Sequence, residues 1–356
     1  MTDRADVVVV GAGLAGACAA LVLSRTRRVV VVEADGPAAG ASGAAAGLAN
    51  PFMGRAAKPA WRFDEALDAL AKLAAEAGDG LFRQTGILRP ATSGSQTERF
   101  RERAAAHADL EWLSPAASAE RWPLVRAERG ALVVRKGGSV DIPAFVGAAL
   151  RRAEARGTAV ARARLVGWEM GSSGIDAITD RGRILASHLV LALGDGARAL
   201  PPLAGLPLHR VKGQTVRLGR PRGLPADHPA VAGAGYAVPS EAGVVVGSTF
   251  EHDFADAAPA PALDAELAAK GSALLPVLDG APVLDRRAGV RLTIPTSVSS
   301  RRLPLAGPLP GHRGVWVLTG LGAKGLLTAP LIARRLPAAL DGVVPMPTEL
   351  WPLGRM

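Results

Sequence analysis

Asp6-Val-Val-Val-Val-Gly11-Ala-Gly13-Leu-Ala-Gly16, an alanine-rich stretch, then Val29-Val-Val-Val-Glu33: this opening decides the fold. A β-branched run ends at Gly11, a helix-forming segment follows, and an acid closes the next apolar run. Gly11 permits the tight strand-to-helix turn, Gly13 lets backbone approach a pyrophosphate, and Gly16 allows the helix to pack closely on the strand. Glu33, with Ala34 after it, stands roughly 20 residues on, where such sites place the acid that accepts a ribose hydroxyl. Three glycines alone are weak evidence. Flanked by two strands, with the acid in register, they predict dinucleotide binding rather than a bare glycine-rich turn.

The chain has 356 residues, 49% of them apolar, which is enough for a full core and two domains. No apolar run reaches the roughly 18 residues of a membrane span. Asp3 and Asp6 precede the Val7–Val10 run and a glycine turn follows it, so it reads as a strand rather than a signal segment. A cytoplasmic protein is expected. The single cysteine, Cys18, excludes an intramolecular disulfide and a thiolate metal cluster, and no metal site is expected. The formal charge is +10, yet only six of the 42 basic residues are lysine. That pattern reads as arginine-biased solvated surface without aromatic residues interleaved for base stacking; polyanion binding stays open.

Farther on, the small-residue loop Gly40–Pro51 suits either a linker or a close approach to a flat ligand, and its place after the ribose acid favours the ligand. Periodicity predicts an amphipathic helix over Phe63–Ala77 and a helix capped by Asp141 with Pro143 in its first turn. Strands are expected at Thr85–Pro90, Ala159–Glu169 and Ile175–Thr179, and over the buried run from His188 to Gly194. Pro259–Leu278 reads as helical. A strand at Val315–Thr319, the turn Gly320–Gly325 and a helix Leu326–Leu340 close the chain. A nucleotide motif at one end and a second glycine turn at the other make sense if one cofactor domain is assembled from separated segments. The expected division is 1–82, 137–204 and 286–356 for that domain, with 83–136 and 205–285 forming a substrate domain.

Seven ordered stretches carry a family resemblance: Ala44–Leu48, Gly138–Pro143, Leu189–Gly194, Val211-Lys-Gly-Gln214, Gly235-Tyr-Ala-Val-Pro239 with Val246–Thr249, Arg287-Ala-Gly-Val-Arg291, and Gly320–Pro330. The chain resembles the FAD-dependent amine oxidases of the D-amino-acid oxidase superfamily, glycine oxidase and its relatives above all, over nearly its whole length. The resemblance implies an α/β fold: a glutathione-reductase-type FAD-binding Rossmann domain with an inserted antiparallel-sheet α+β substrate domain. It implies noncovalent FAD, since Cys18 is far from any flavin-linking position. Leu14 and Ala15 would offer backbone to the pyrophosphate. Ser42, Gly47, Leu48, Ala49 and the glycine-ended strand at Gly194 would line the flavin, and Val166 would hold the adenine through its backbone. Gly320, Leu321, Gly322, Ala323, Lys324, Gly325, Leu326 and Leu327 would wrap the isoalloxazine, with the following helix N-terminus at its pyrimidine end.

The same resemblance gives Arg291 the substrate carboxylate, through a bidentate pair, and gives Tyr236, the chain's only tyrosine, a second contact to it. Lys212 matches a lysine of the substrate sheet that lies either near the flavin or in solvent. Two departures leave the substrate open. The segment Thr293–Pro304 is longer than in relatives and lacks their aspartate, and Ala323 stands where a polar residue is common. The implied reaction is oxidation of a C–N bond of a small amine or amino acid. Hydride passes to the flavin, the imine hydrolyses and oxygen takes the electrons, which demands orientation more than a side-chain base. Two alternatives remain: the oxidase half of a bifunctional enzyme that matures carboxymethylaminomethyl-uridine in tRNA, and a dehydrogenase or non-catalytic FAD-binding partner. An oligomer is compatible with all three.

Overall fold

The computed structural model describes residues 4–351. Two eight-stranded sheets organise it. In the first, Arg4–Val10 lies between Val29–Glu33 and Gly182–Leu191, parallel to both. Ala159–Arg162 extends one edge in parallel. On its far side Gly182–Leu191 meets two neighbours in succession. Its first half pairs antiparallel with Gly174–Thr179, and its last residues pair parallel with Val315–Thr319.

The valine runs explain how this sheet is buried. Val7, Val9, Val29 and Val31 point to one core, and Val8, Val10, Val30 and Val32 to another. The first core is packed by the helices Leu14–Leu23, Phe63–Ala77, Ile142–Glu154, Gly325–Ala333 and Leu336–Leu340. Unbroken β-branched runs are what a sheet covered on both faces requires. Gly16 permits the closest helix approach: a Cβ there would fall 1.8 Å from the Gly11 carbonyl oxygen. Gly11 itself has φ +103°, a conformation reserved for glycine.

The second sheet runs Val283–Thr293, His209–Leu218, Gly243–Gly247, Tyr236–Ser240, Ala230–Ala232, Ile87–Pro90, Ala131–Val134, Leu110–Leu113. Its neighbours are antiparallel except Ala230–Ala232 against Ile87–Pro90. The small-residue loop is wedged between the two sheets. Thr215 Oγ1 donates to the Ala44 carbonyl at 3.0 Å, and Arg287 Nη1 to that of Gly43 at 3.1 Å.

Several sequence expectations change. Ala159–Glu169 is two strands at opposite edges of the first sheet, Ala159–Arg162 and Leu165–Gly171. The break comes where Ala163 N bonds to the Glu33 carbonyl and Arg164 N to the Asp180 carboxylate. The helix expected over Leu326–Leu340 is Gly325–Ala333 and Leu336–Leu340, because Pro337 suits a first turn and not an interior. Of Pro259–Leu278, only Asp264–Ser272 is α-helical, bracketed by short 3₁₀ turns that begin at Pro261 and Pro276. Val283–Thr293 runs through the expected boundary at 286 and pairs with the second sheet from end to end.

Candidate cofactor and substrate site

One cavity of about 830 Å³ runs between the two sheets. It is lined by Gly11, Gly13, Leu14 and Ala15 with Glu33 and Ala34, and by Tyr236 and Arg291. Its wall also includes Ser42, Gly47, Leu48 and Gly194, and Gly320, Leu321, Gly322, Ala323, Gly325 and Leu326. Leu14–Leu23 and Gly325–Ala333 both begin on it, and neither carries a side-chain cap on its own N-cap residue. Uncapped helix N-termini leave N–H groups for an anionic ligand. At the first of them, Leu14 N donates to Ser42 Oγ at 2.9 Å, which fixes the loop to the turn. The Glu33 carboxylate accepts from Ala12 N at 2.6 Å on one oxygen and from Asp35 N at 2.8 Å on the other. The acid is therefore already aimed at the glycine turn. A long slot with bare backbone, two helix N-termini and an acid at the ribose position fits an FAD-type dinucleotide.

Arg291 and Tyr236 both come from the second sheet, on strands separated by His209–Leu218 and Gly243–Gly247. Arg291 pairs with Val211 across the sheet edge, and Tyr236 with Gly247. Arg291 has one protein hydrogen bond, to the Thr249 carbonyl at 3.4 Å. Among the described residues no acid pairs with it, and burial lowers its pKa. Burial pushes the Tyr236 phenol up, opposed by the Ser248 hydroxyl and the Arg291 charge. The ring of Phe250, 66% exposed, stands 4.8 Å from the Arg291 guanidinium carbon. Beside them, buried Arg89 donates to the carbonyls of Phe52, at 2.6 Å, and Gly54, holding the turn that brings Met53 to the cavity. Burial takes the Arg89 guanidinium down to about 10.

Six of the sequence-predicted residues lie outside the cavity wall. Gly16 packs the helix on its strand, Leu327 is 2% exposed in the core, and Ala49 is fully buried against Gly138. Val166 sits at a bulge with its side chain 55% exposed, while Ala163, Arg164 and Leu165 form that part of the wall. Lys324 turns away from its wall-forming neighbours, and its Nζ donates to the carbonyls of Arg301 and Arg302. Lys212 is corrected outright. Strand alternation puts Gly213 and Thr215 on the cavity side, and buried Lys212 on the other, with Asp256 3.8 Å away. Asn50, Asp195 and Ser248 also line the cavity and were missed. Ser248 lies within the matched stretch Val246–Thr249, Asn50 within the Gly40–Pro51 loop, and Asp195 directly after the matched strand that ends at Gly194.

The model of the DAO family, FAD dependent oxidoreductase, matches residues 6–338. The chain belongs to this family and is an FAD-dependent oxidoreductase. It is 32% identical, over 99% of its own length, to the tRNA 5-methylaminomethyl-2-thiouridine biosynthesis bifunctional protein of Burkholderia pseudomallei. The chain covers 58% of that relative. Among solved structures it is similar to glycine oxidase from Geobacillus kaustophilus, with a TM-score of 0.84 at 24% identity, over 96% of this chain and 95% of that one. Iminodiacetate oxidase from Chelativorans sp. BNC1 gives 0.81 at 23%, over 96% and 97%. These two likenesses show a shared fold.

Proposed function

We propose that the protein oxidises the C–N bond of an amine bearing a carboxylate, with oxygen as the final electron acceptor. The observation that carries this reading is the Arg291 guanidinium, part-buried on the cofactor cavity with no acid beside it among the described residues. A buried charge without a partner costs several kcal/mol, roughly, and is kept where an anion arrives to pair with it. A carboxylate would take the planar fork bidentately, fixing the α-carbon in the cavity. Tyr236, held protonated by burial, is a donor for the same carboxylate. The Arg291 charge also disfavours an ammonium nearby, so it helps the substrate nitrogen to remain neutral. FAD, when bound, supplies the acceptor for the hydride released from that carbon. Gly325–Ala333 directs its N-terminus at the cavity, where it stabilises negative charge.

Glycine and iminodiacetate, the substrates in the names of two structural neighbours, each combine an amine with a carboxylate. The test is to mix FAD-loaded protein anaerobically with glycine, N-substituted glycines, other amino acids and carboxylate-free amines. Flavin bleaching by carboxylate-bearing amines is expected. Bleaching only by amines without a carboxylate would refute the reading.

A second reading takes the amine on tRNA, and the 32%-identical relative named for tRNA biosynthesis favours it. A carboxymethylamino group on uridine would offer Arg291 the same chemistry. Modified tRNA bleaching the flavin, with free amines inert and binding that weakens steeply with salt, would rank this reading first.

A further inference from the structure

Arg291 lies against a residue that has no side chain. A Cβ built on Gly213 would fall 2.5 Å from Arg291 Nη2, 2.9 Å from Cζ and 3.3 Å from Nε, and these are its three nearest atoms. Gly213 sits inside the strand His209–Leu218, paired with Gly289, and its backbone is not left-handed. Neither a turn nor a positive φ asks for glycine there. Glycine inside a strand forfeits packing and marks the close approach of another group. The approaching group here is the guanidinium. Tyr236 has a counterpart: a Cβ on Gly247 would fall 2.8 Å from its hydroxyl oxygen.

From this geometry we infer that Gly213 is a positioning residue, a hollow in the sheet that seats the Arg291 guanidinium and sets its plane for the incoming carboxylate. This rests on the carboxylate reading of Arg291. With only one long hydrogen bond to the Thr249 carbonyl, the arginine takes its orientation from what it lies against. The bare Gly213 backbone and the Phe250 ring are those surfaces. A methyl group at position 213 would lift the fork. The positive charge would remain while the bidentate match was lost, and that match is what distinguishes a fork from a point charge.

The test is a double-mutant cycle on FAD-loaded protein, using wild type, Gly213→Ala, Arg291→Ala and the double variant. Methoxyacetate is the probe: it has the carboxylate of an N-methyl glycine and no N–H to oxidise. Its dissociation constant is read by calorimetry, and the melting temperature of each FAD-free protein is read in parallel. Gly213→Ala is expected to weaken methoxyacetate by at least about tenfold. In the Arg291→Ala background the same change should add less than about threefold. Gly213→Ala should also lower the melting temperature, and removing the guanidinium should restore it; this arm holds even where binding is too weak to measure. For an amine that bleaches the flavin, KM should rise more than kcat falls. Full additivity in both readouts, or Gly213→Ala binding like wild type, would overturn the positioning role and leave the carboxylate reading standing. Wild type and Arg291→Ala binding methoxyacetate equally would remove that reading, and the hollow with it.

Discussion

Replacing Glu33 with glutamine separates two roles that the structure gives one carboxylate. One oxygen accepts from Ala12 N at 2.6 Å; the other accepts from Asp35 N at 2.8 Å and Gly36 N at 3.2 Å. An amide has a single acceptor oxygen, so either orientation turns an NH₂ group towards an N–H. Ala12 is fully buried, so losing its bond is the dearer outcome. The exposed pair at Asp35 and Gly36 contributes less. An orphaned buried donor costs about 1–3 kcal/mol, and a bond to a charged acceptor is worth a similar amount. Glutamine would therefore keep its oxygen on Ala12 N and lose the Asp35 and Gly36 contacts, destabilising even the FAD-free protein by about 1 kcal/mol. At roughly 2–4 °C per kcal/mol, its melting temperature should drop by about 3 °C. FAD affinity should fall by about ten- to a hundredfold, as the ribose loses a charged acceptor. Thermal melts of the FAD-free protein and fluorescence titration with FAD measure the two effects separately. An unchanged melting temperature together with an unchanged dissociation constant would refute the argument.

The rest of the molecule offers two further tests. Leu70→Ala empties a fully buried position on Phe63–Ala77 and should cost about 2–5 kcal/mol in a denaturant titration, with the spectrum of bound flavin kept. His188 and His228 are both held below the ordinary imidazole range, chiefly by burial. Their folded-state pKa values are depressed, so the unfolded chain takes up protons first as pH falls below about 6.5. The stability they contribute is complete above that pH and is lost on descending through the folded values. Melts from pH 8 to pH 5 should show the loss, and His228→Asn should flatten it. A variant as acid-sensitive as wild type would exonerate this histidine.

How much of this was legible in the sequence depends on how local each signal is. The turn at Gly11 to Gly16 and the acid Glu33 were readable because their physics is contained within one strand–turn–helix unit. The Asp141 cap was readable for the same reason: its carboxylate accepts from Ala144 N, three residues on. Lys212 was misjudged because a residue's face depends on which strand pairs beside it, and that strand comes from 283–293. Val166 was named from the resemblance, while Leu165, the residue before it at the bulge, is the one that lines the cavity. The hollow at Gly213 could not be read at all, since what fills it arrives from 78 positions away in the chain.

The pairing of Gly182–Leu191 has a consequence for the route by which this chain folds. Val9 faces Val190, and Leu191 faces Val317, so the first sheet is closed by contacts that span most of the sequence. Contacts of such separation carry their loop-closure entropy before they return any stabilisation, and they slow folding accordingly. On a ribosome, the valine strand near the start waits for its partner until residues 182–191 emerge, and that partner waits for its own until residues beyond 315 do. Refolding after dilution from denaturant should be slow, and the waiting strands are where aggregation competes with it.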